Sequence, residues 1–251
     1  MTIEEQLDKA EDLRLSGQYN EAKEKYEDIL SHDNQDNIHC THAIRGLAEV
    51  NRMLENFDES KAFYLKAIDR YKDIKHWTGL GHAHLGLGQL NRHKNKNDEA
   101  KAYIKSAIQY FQDSGDQFGM ADAHIELGHL YLGEVQMEQA INEFNAADQL
   151  YQELNDAWGR ASAKLGLGKI NLKKSKYNDS EKDLRSSLAL FTTIDDKLGQ
   201  ANVNKELGRL YHALDQKLNA KSHYNVALEM YEAMQETSQT QKIKAHLSQL
   251  S

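Results

Sequence analysis

The stretch GLGHAHLGLG, Gly79 to Gly88, gathers the residue types that do chemistry. Dense glycine can cradle phosphate through backbone N–H groups, and neighbouring imidazoles can hold a metal ion. A phosphate loop, however, follows a strand, opens a helix and often has lysine directly after it; here Gln89 follows. His82 and His84 are two apart, which on a helix separates them by about 200° and forbids joint ligation of one ion. His39 and His42 are three apart, but no carboxylate or cysteine framework accompanies them. Cys40 lies between those histidines, and sequence adjacency gives it no nucleophile geometry. The basic strings NRHKNK and KKSK lack interleaved aromatics and read as solvated turns. Neither catalysis nor a cofactor is expected.

The same glycines belong to a period. Gly88 recurs as Gly128, Gly168 and Gly208, each 40 residues on, with Ala48 at the same place before it. Gly79 recurs as Gly119, Gly159 and Gly199, and an aromatic column runs Tyr71, Phe111, Tyr151, Phe191, Tyr231. Small residues form two more columns, at Ser60, Ala100, Ala140, Ser180, Ala220 and at Ala67, Ala107, Ala147, Ser187, Ala227. A fixed period of this length is the signature of stacked repeats. Each unit reads as two helices: apolar residues recur three and four apart in GMADAHIELGHLYL and again in MEQAINEFNAADQLYQEL. Short polar turns such as KNKND separate them. Asp36, Asp116, Asp156 and Asp196 precede the first helices as N-caps. The glycine three residues on admits close approach of the preceding unit.

Composition agrees. The 251 residues contain no proline, as expected of helices joined by tight turns. The net charge of −8 argues against nucleic acid, and no apolar run is long enough to span a membrane. A single cysteine and an acidic, amphipathic N-terminus lacking a signal-peptide pattern point to the cytoplasm.

Leu127-Gly128-x-x-Tyr131, Ala140-x-x-x-Phe144 and Ala147, with their counterparts Leu207-Gly208-x-x-Tyr211, Ala220-x-x-x-Tyr224 and Ala227, resemble the tetratricopeptide repeat. The resemblance covers nearly the whole chain. The period of 40 and the missing proline set it beside the longer variety found in cell-polarity adaptors, kinesin light chains and some bacterial regulators. It implies an all-α, right-handed α-solenoid forming one domain over 1–251, with repeats at about 3–36, 37–76, 77–116, 117–156, 157–196 and 197–236. A capping helix at 237–250 closes the array. It also implies a concave groove lined by first helices that binds a partner peptide, without catalysis. Its groove positions carry Arg45, Arg52, His82, Gln89, Arg92, His129, Lys169, Lys173, Lys205 and Arg209. This face is basic inside an acidic protein, so the expected ligand is an acidic, partly apolar protein or peptide segment. The alternative reading of the arginines is internal pairing with Glu11, Glu49 and other carboxylates. Self-assembly, or regulation of a partner enzyme or response protein, are the competing functions.

Overall fold

The computed structural model describes residues 2–32 and 38–250. Among them all regular structure is α-helical: α1 (Ile3–Leu15), α2 (Tyr19–His32), α3 (Ile38–Met53), α4 (Phe57–Asp73), α5 (Trp77–His93), α6 (Asn97–Ser114), α7 (Gln117–Gly133), α8 (Met137–Glu153), α9 (Ala157–Lys173), α10 (Tyr177–Thr193), α11 (Lys197–Ala213), α12 (Lys217–Ala233) and α13 (Thr237–Ser248). Odd-numbered helices are the first helices of the repeats and even-numbered ones the second, with α13 last. The architecture is a helical-repeat solenoid. It comprises two compact units, Met1–Glu126 and Leu127–Ser251.

Tight reversals punctuate the helices. From Glu55 to Gln235 a residue with positive φ ends a helix every twenty positions, and only Gly115 among these is glycine. The others, including Lys75, Asn95, Val135, Asn155, Ser175 and Asp195, hold φ between 54 and 63°. The left-handed residue lets the following N–H reach back to the helix: Asn56 N–H donates to Asn51 O at 2.8 Å and Gln136 N–H to Tyr131 O at 2.9 Å.

Packing explains the small columns. The Ser60 hydroxyl donates to Ala48 O at 2.7 Å and Ser180 to Gly168 O at 2.8 Å, so the two helices of a repeat touch backbone to side chain there. The aromatic column lies against the glycine of the next first helix. A Cβ on Gly79 would meet the Tyr71 ring at 2.5 Å, and one on Gly199 the Phe191 ring at 2.4 Å. A second set of rings follows a subtler rule. Tyr26, Tyr64 and Phe144 lie where side chains on Gly46, Gly86 and Gly166 would be. Where the second helix carries the shorter Ile104 or Leu184, the matching places are Glu126 and Glu206. Ring size thus sets whether the next helix can bear a side chain. At the last of these rings, Tyr224, His246 of α13 stacks with centroids 5.2 Å apart, so α13 covers the final repeat.

Candidate functional site

Local chemistry fixes where each first helix starts, and so which side chains face water. The Gly119, Gly159 and Gly199 N–H groups donate to Asp116, Asp156 and Asp196 at 2.9, 2.6 and 2.8 Å. His76 takes the same role at α5, its Nδ1 accepting from Gly79 N–H at 2.9 Å. Asp36, the remaining expected cap, lies outside the described residues. With the start fixed and the rings packed on one side, the open stripe of α9 and α11 runs from the second helical residue through the positions four, seven, eleven and fourteen residues after it. In α9 that stripe is Trp158, Ser162, Leu165, Lys169 and Leu172; in α11 it is Leu198, Asn202, Lys205, Arg209 and His212.

In the first unit the cations of this stripe are mostly spent internally. Arg14 pairs with Glu11, and with Glu49 at 3.2 Å. Glu49 also holds Arg45. Burial would raise the Glu11 carboxyl, but the hydrogen bond and charge of Arg14 outweigh it and bring the pKa down to about 2. Arg92 pairs with Glu126 at 3.2 Å, and Gln89 donates to the same carboxylate at 3.0 Å. His82 Nε2 lies 3.3 Å from Asp116 and edge-on to Phe111. Arg52 stands beside the buried Tyr64 hydroxyl, without a carboxylate partner among the described residues. The structure therefore realises the internal-pairing alternative for Arg14, Arg45 and Arg92. A cleft of about 300 Å³ opens between α1 and α3, where Glu4, Asp8 and Glu11 face His39, His42 and Arg45. His42 accepts from or donates to the Tyr71 hydroxyl at 2.9 Å. Burial, with Arg45 and the neighbouring imidazoles, lowers its pKa to about 4.

The second unit differs. His129 lies edge-on to Phe144, centroids 5.1 Å apart. Arg209 pairs with Glu206 at 2.8 Å. Lys169 and Lys173 make no ion pair among the described residues. Lys205 has only neutral hydrogen-bond acceptors, Asn202 at 3.4 Å and Gln239 at 3.3 Å. Sequence reasoning missed one column here. Trp158 and Leu198, with Phe118 of the first unit, stand four residues before Ser162, Asn202 and Asp122 and are 53%, 44% and 50% exposed. The helical period alone places them on the open stripe.

The chemistry weighed for the histidines does not assemble. Among the described residues no group of three His, Cys, Asp or Glu side chains is placed to hold a metal ion. Cys40 is buried. In GLGHAHLGLG a Cβ at any of the four glycines would meet a ring or an aliphatic chain: Tyr71 at Gly79, Phe111 at Gly81, Tyr64 at Gly86 and Ile104 at Gly88. His84 packs between Tyr103 and Tyr110. No helix of the described residues is long and apolar enough to cross a membrane.

A family model described as "Tetratricopeptide repeat" matches residues 38–113 and 159–233, more than half of the chain. No curated protein matches the sequence. Among solved structures, BtubC from P. vanneervenii superposes with a TM-score of 0.72 at 17% identity, covering 94% of this chain and 93% of that one. The Cut9 and Hcn1 hetero-tetramer of the APC/C gives a TM-score of 0.79 at 18% identity over 99% of this chain, which spans 43% of that chain. NprR in complex with its cognate peptide NprX gives 0.66 at 15% identity, covering 99% and 71%. At these identities the likeness is one of fold.

Proposed function

The chain belongs to the tetratricopeptide-repeat family, and from that premise we propose that it is a non-catalytic adaptor whose first-helix stripe captures a segment of a partner protein. The observation that carries this reading is the composition of the stripe. It holds exposed Trp158 and Leu198 beside lysines that no carboxylate neutralises. The exposed apolar surface and the lysine charges together suit an acidic, partly apolar segment. Two solved structures of similar fold support peptide capture, since NprR was crystallised with NprX and a Rap protein with the Competence and Sporulation Factor. His129, Lys169, Lys173, Lys205 and Arg209 are the proposed contact set, in a protein proposed to be cytoplasmic. Arg45, Arg52, His82, Gln89 and Arg92 of the first unit, engaged by Glu49, Tyr64, Asp116 and Glu126, line the stripe without forming part of that set.

The test is selection of binders from a displayed library of random 15-residue peptides on the full chain. Peptides whose binding is lost when Leu165, half-buried on the stripe, becomes glutamate support the reading. A library yielding no binder, or binders indifferent to Leu165→Glu, overturns it.

A second reading is favoured by Leu218. It is 85% exposed at the start of α12, where the other repeats carry Asp58, Asp98, Glu138 and Asn178. A second copy packing on that corner gives a self-assembling scaffold. Light scattering across concentration decides it: a mass that rises for the parent and not for Leu218→Asp supports assembly, and a constant monomer mass excludes it.

A further inference from the structure

We propose that acid recognition resides on one lysine face of the second unit, built by α9, α11 and α13, and that it reads a carboxylate cluster set apart from an aromatic or branched aliphatic anchor. The proposal rests on the adaptor reading above and sharpens it to one place and one ligand pattern.

Cations converge there without a matching set of acids. The Lys205 ammonium on α11 donates to Gln239 of α13 at 3.3 Å, one turn before Lys242, while Arg209 follows it one turn along α11 and Lys169 holds the place of Arg209 on α9. The charges of Lys169, Lys242 and Arg209 all act on Lys205. Burial lowers the pKa of Lys205, and the charges of Lys169, Lys242 and Arg209 add to that against the opposing pull of Glu206. The Glu206 carboxylate is already engaged by Arg209 at 2.8 Å. Lys169 and Lys242 have no ion pair among the described residues, and Lys242 is exposed. A face whose neighbouring cations work against the charged form of Lys205 gains when an anion enters. The first unit offers less of that gain, because Arg14, Arg45 and Arg92 already hold Glu11, Glu49 and Glu126, and Arg52 alone stands beside the Tyr64 hydroxyl.

The apolar part has a fixed address as well. Trp158 opens the same stripe, and its indole N–H donates to Asp196 Oδ2 at 3.0 Å, which holds the ring in place while 53% of the residue stays exposed. Leu198 stands at the same point of α11. From Trp158 to Lys169 is eleven residues, about 16 Å along a helix axis. An extended peptide covers that in about five residues. The ligand is thus a peptide segment with two or more Asp or Glu residues about five residues from a large apolar side chain, the apolar end lying toward the start of α9. A pre-set aromatic anchor supplies affinity, and the lysines supply charge selectivity and salt dependence.

The experiment measures fluorescence anisotropy of a labelled peptide, Leu-Ser-Ser-Gly-Ser-Asp-Glu-Asp, and of its neutral Asn/Gln counterpart, on the 251-residue chain. Lys169→Ala/Lys242→Ala is the main variant, chosen because neither side chain holds the fold together. Arg52→Glu/Arg92→Glu is the comparison. We expect the acidic peptide to bind more tightly than the neutral one, the lysine variant to lose about tenfold or more in affinity, and its salt dependence to flatten. We expect the arginine variant to stay within about twofold. Loss of binding on the arginine variant alone overturns the location. Equal binding of the two peptides, or no binding of either, overturns the ligand assignment, and so does binding that requires a phosphoserine in place of the carboxylates. If the peptides selected from the random library are neutral yet depend on Leu165, the adaptor reading survives and this inference fails. If the library yields none, both fail.

Discussion

Gly86 and Tyr64 show how a single residue is dictated by its neighbour one repeat away. A Cβ at Gly86 would lie 2.3 Å from the Tyr64 ring, which is fully buried and has nowhere to retreat. Gly86→Ala is therefore expected to destabilise by about 1–3 kcal/mol in urea unfolding. Gly133, in the last turn of α7, has nothing within 4 Å of its would-be Cβ. Gly133→Ala is expected to be neutral or to stabilise by up to about 1 kcal/mol. If both substitutions cost the same, the glycines are kept for backbone freedom and not for ring clearance. Val135 presents the opposite case. It is β-branched, 64% exposed and held at φ 63°. Val135→Gly is expected to stabilise by about 1 kcal/mol, seen as a higher Tm, although glycine ordinarily weakens a chain. A lower Tm would show that the valine side chain contributes packing that outweighs its backbone strain.

At the scale of elements, the sequence made the helices and the glycine–ring columns readable, because packing imposes the same residue type every 40 positions. The reversals were not readable. Their left-handed residues are Glu55, Lys75, Asn95, Val135 and other ordinary types, so geometry repeats without a residue signature. The cap at His76 was missed for a related reason, since an imidazole nitrogen performs there what aspartate performs at the later helices. The charge partners were half legible. Arg45 and Glu49 are one turn apart on α3, whereas Arg14–Glu49 and Arg92–Glu126 depend on the register between helices. One element has a pH signature. Burial and Lys72 lower the His84 pKa to about 4, and His84 is wedged beside Tyr103 and Tyr110 on α6. Burial likewise holds His42 at about 4. Both are neutral when folded and take up a proton near pH 6.5 when unfolded. The unfolded chain then binds more protons between pH 6.5 and 4, so stability is complete above 6.5 and falls as pH drops through that window. Thermal melts at pH 7, 5.5 and 4.5 are expected to show a falling Tm, with a shallower fall in His84→Phe. An identical slope in that variant would remove His84 from the explanation.

For the whole molecule the open matter is whether 1–251 behaves as the one domain we propose. The contacts divide it into Met1–Glu126 and Leu127–Ser251, but the dividing point falls inside α7 and not in a linker. In a repeat protein stability is nearly a sum of repeat terms and nearest-neighbour interface terms, so cooperativity depends on every interface being strong relative to the repeats it joins. The ring-in-glycine contact recurs within each unit, at Gly79 with Tyr71, Gly119 with Phe111, Gly159 with Tyr151 and Gly199 with Phe191. Within each unit such uniformity leaves no interface marked for early failure. Scanning calorimetry is therefore expected to give one transition whose calorimetric and van't Hoff enthalpies agree. Phe144→Ala removes a fully buried ring packed against Gly128 and Gly166, at a cost of about 3–5 kcal/mol. In one cooperative domain that variant lowers the Tm of the single transition, and far-UV circular dichroism of the whole chain is lost together. Were the two units independent, Phe144→Ala would split the melt, leaving a parent-like transition for the first unit and an early one for the second. That split would overturn the single-domain proposal without touching the repeat architecture, because each unit carries its own complete set of packed rings.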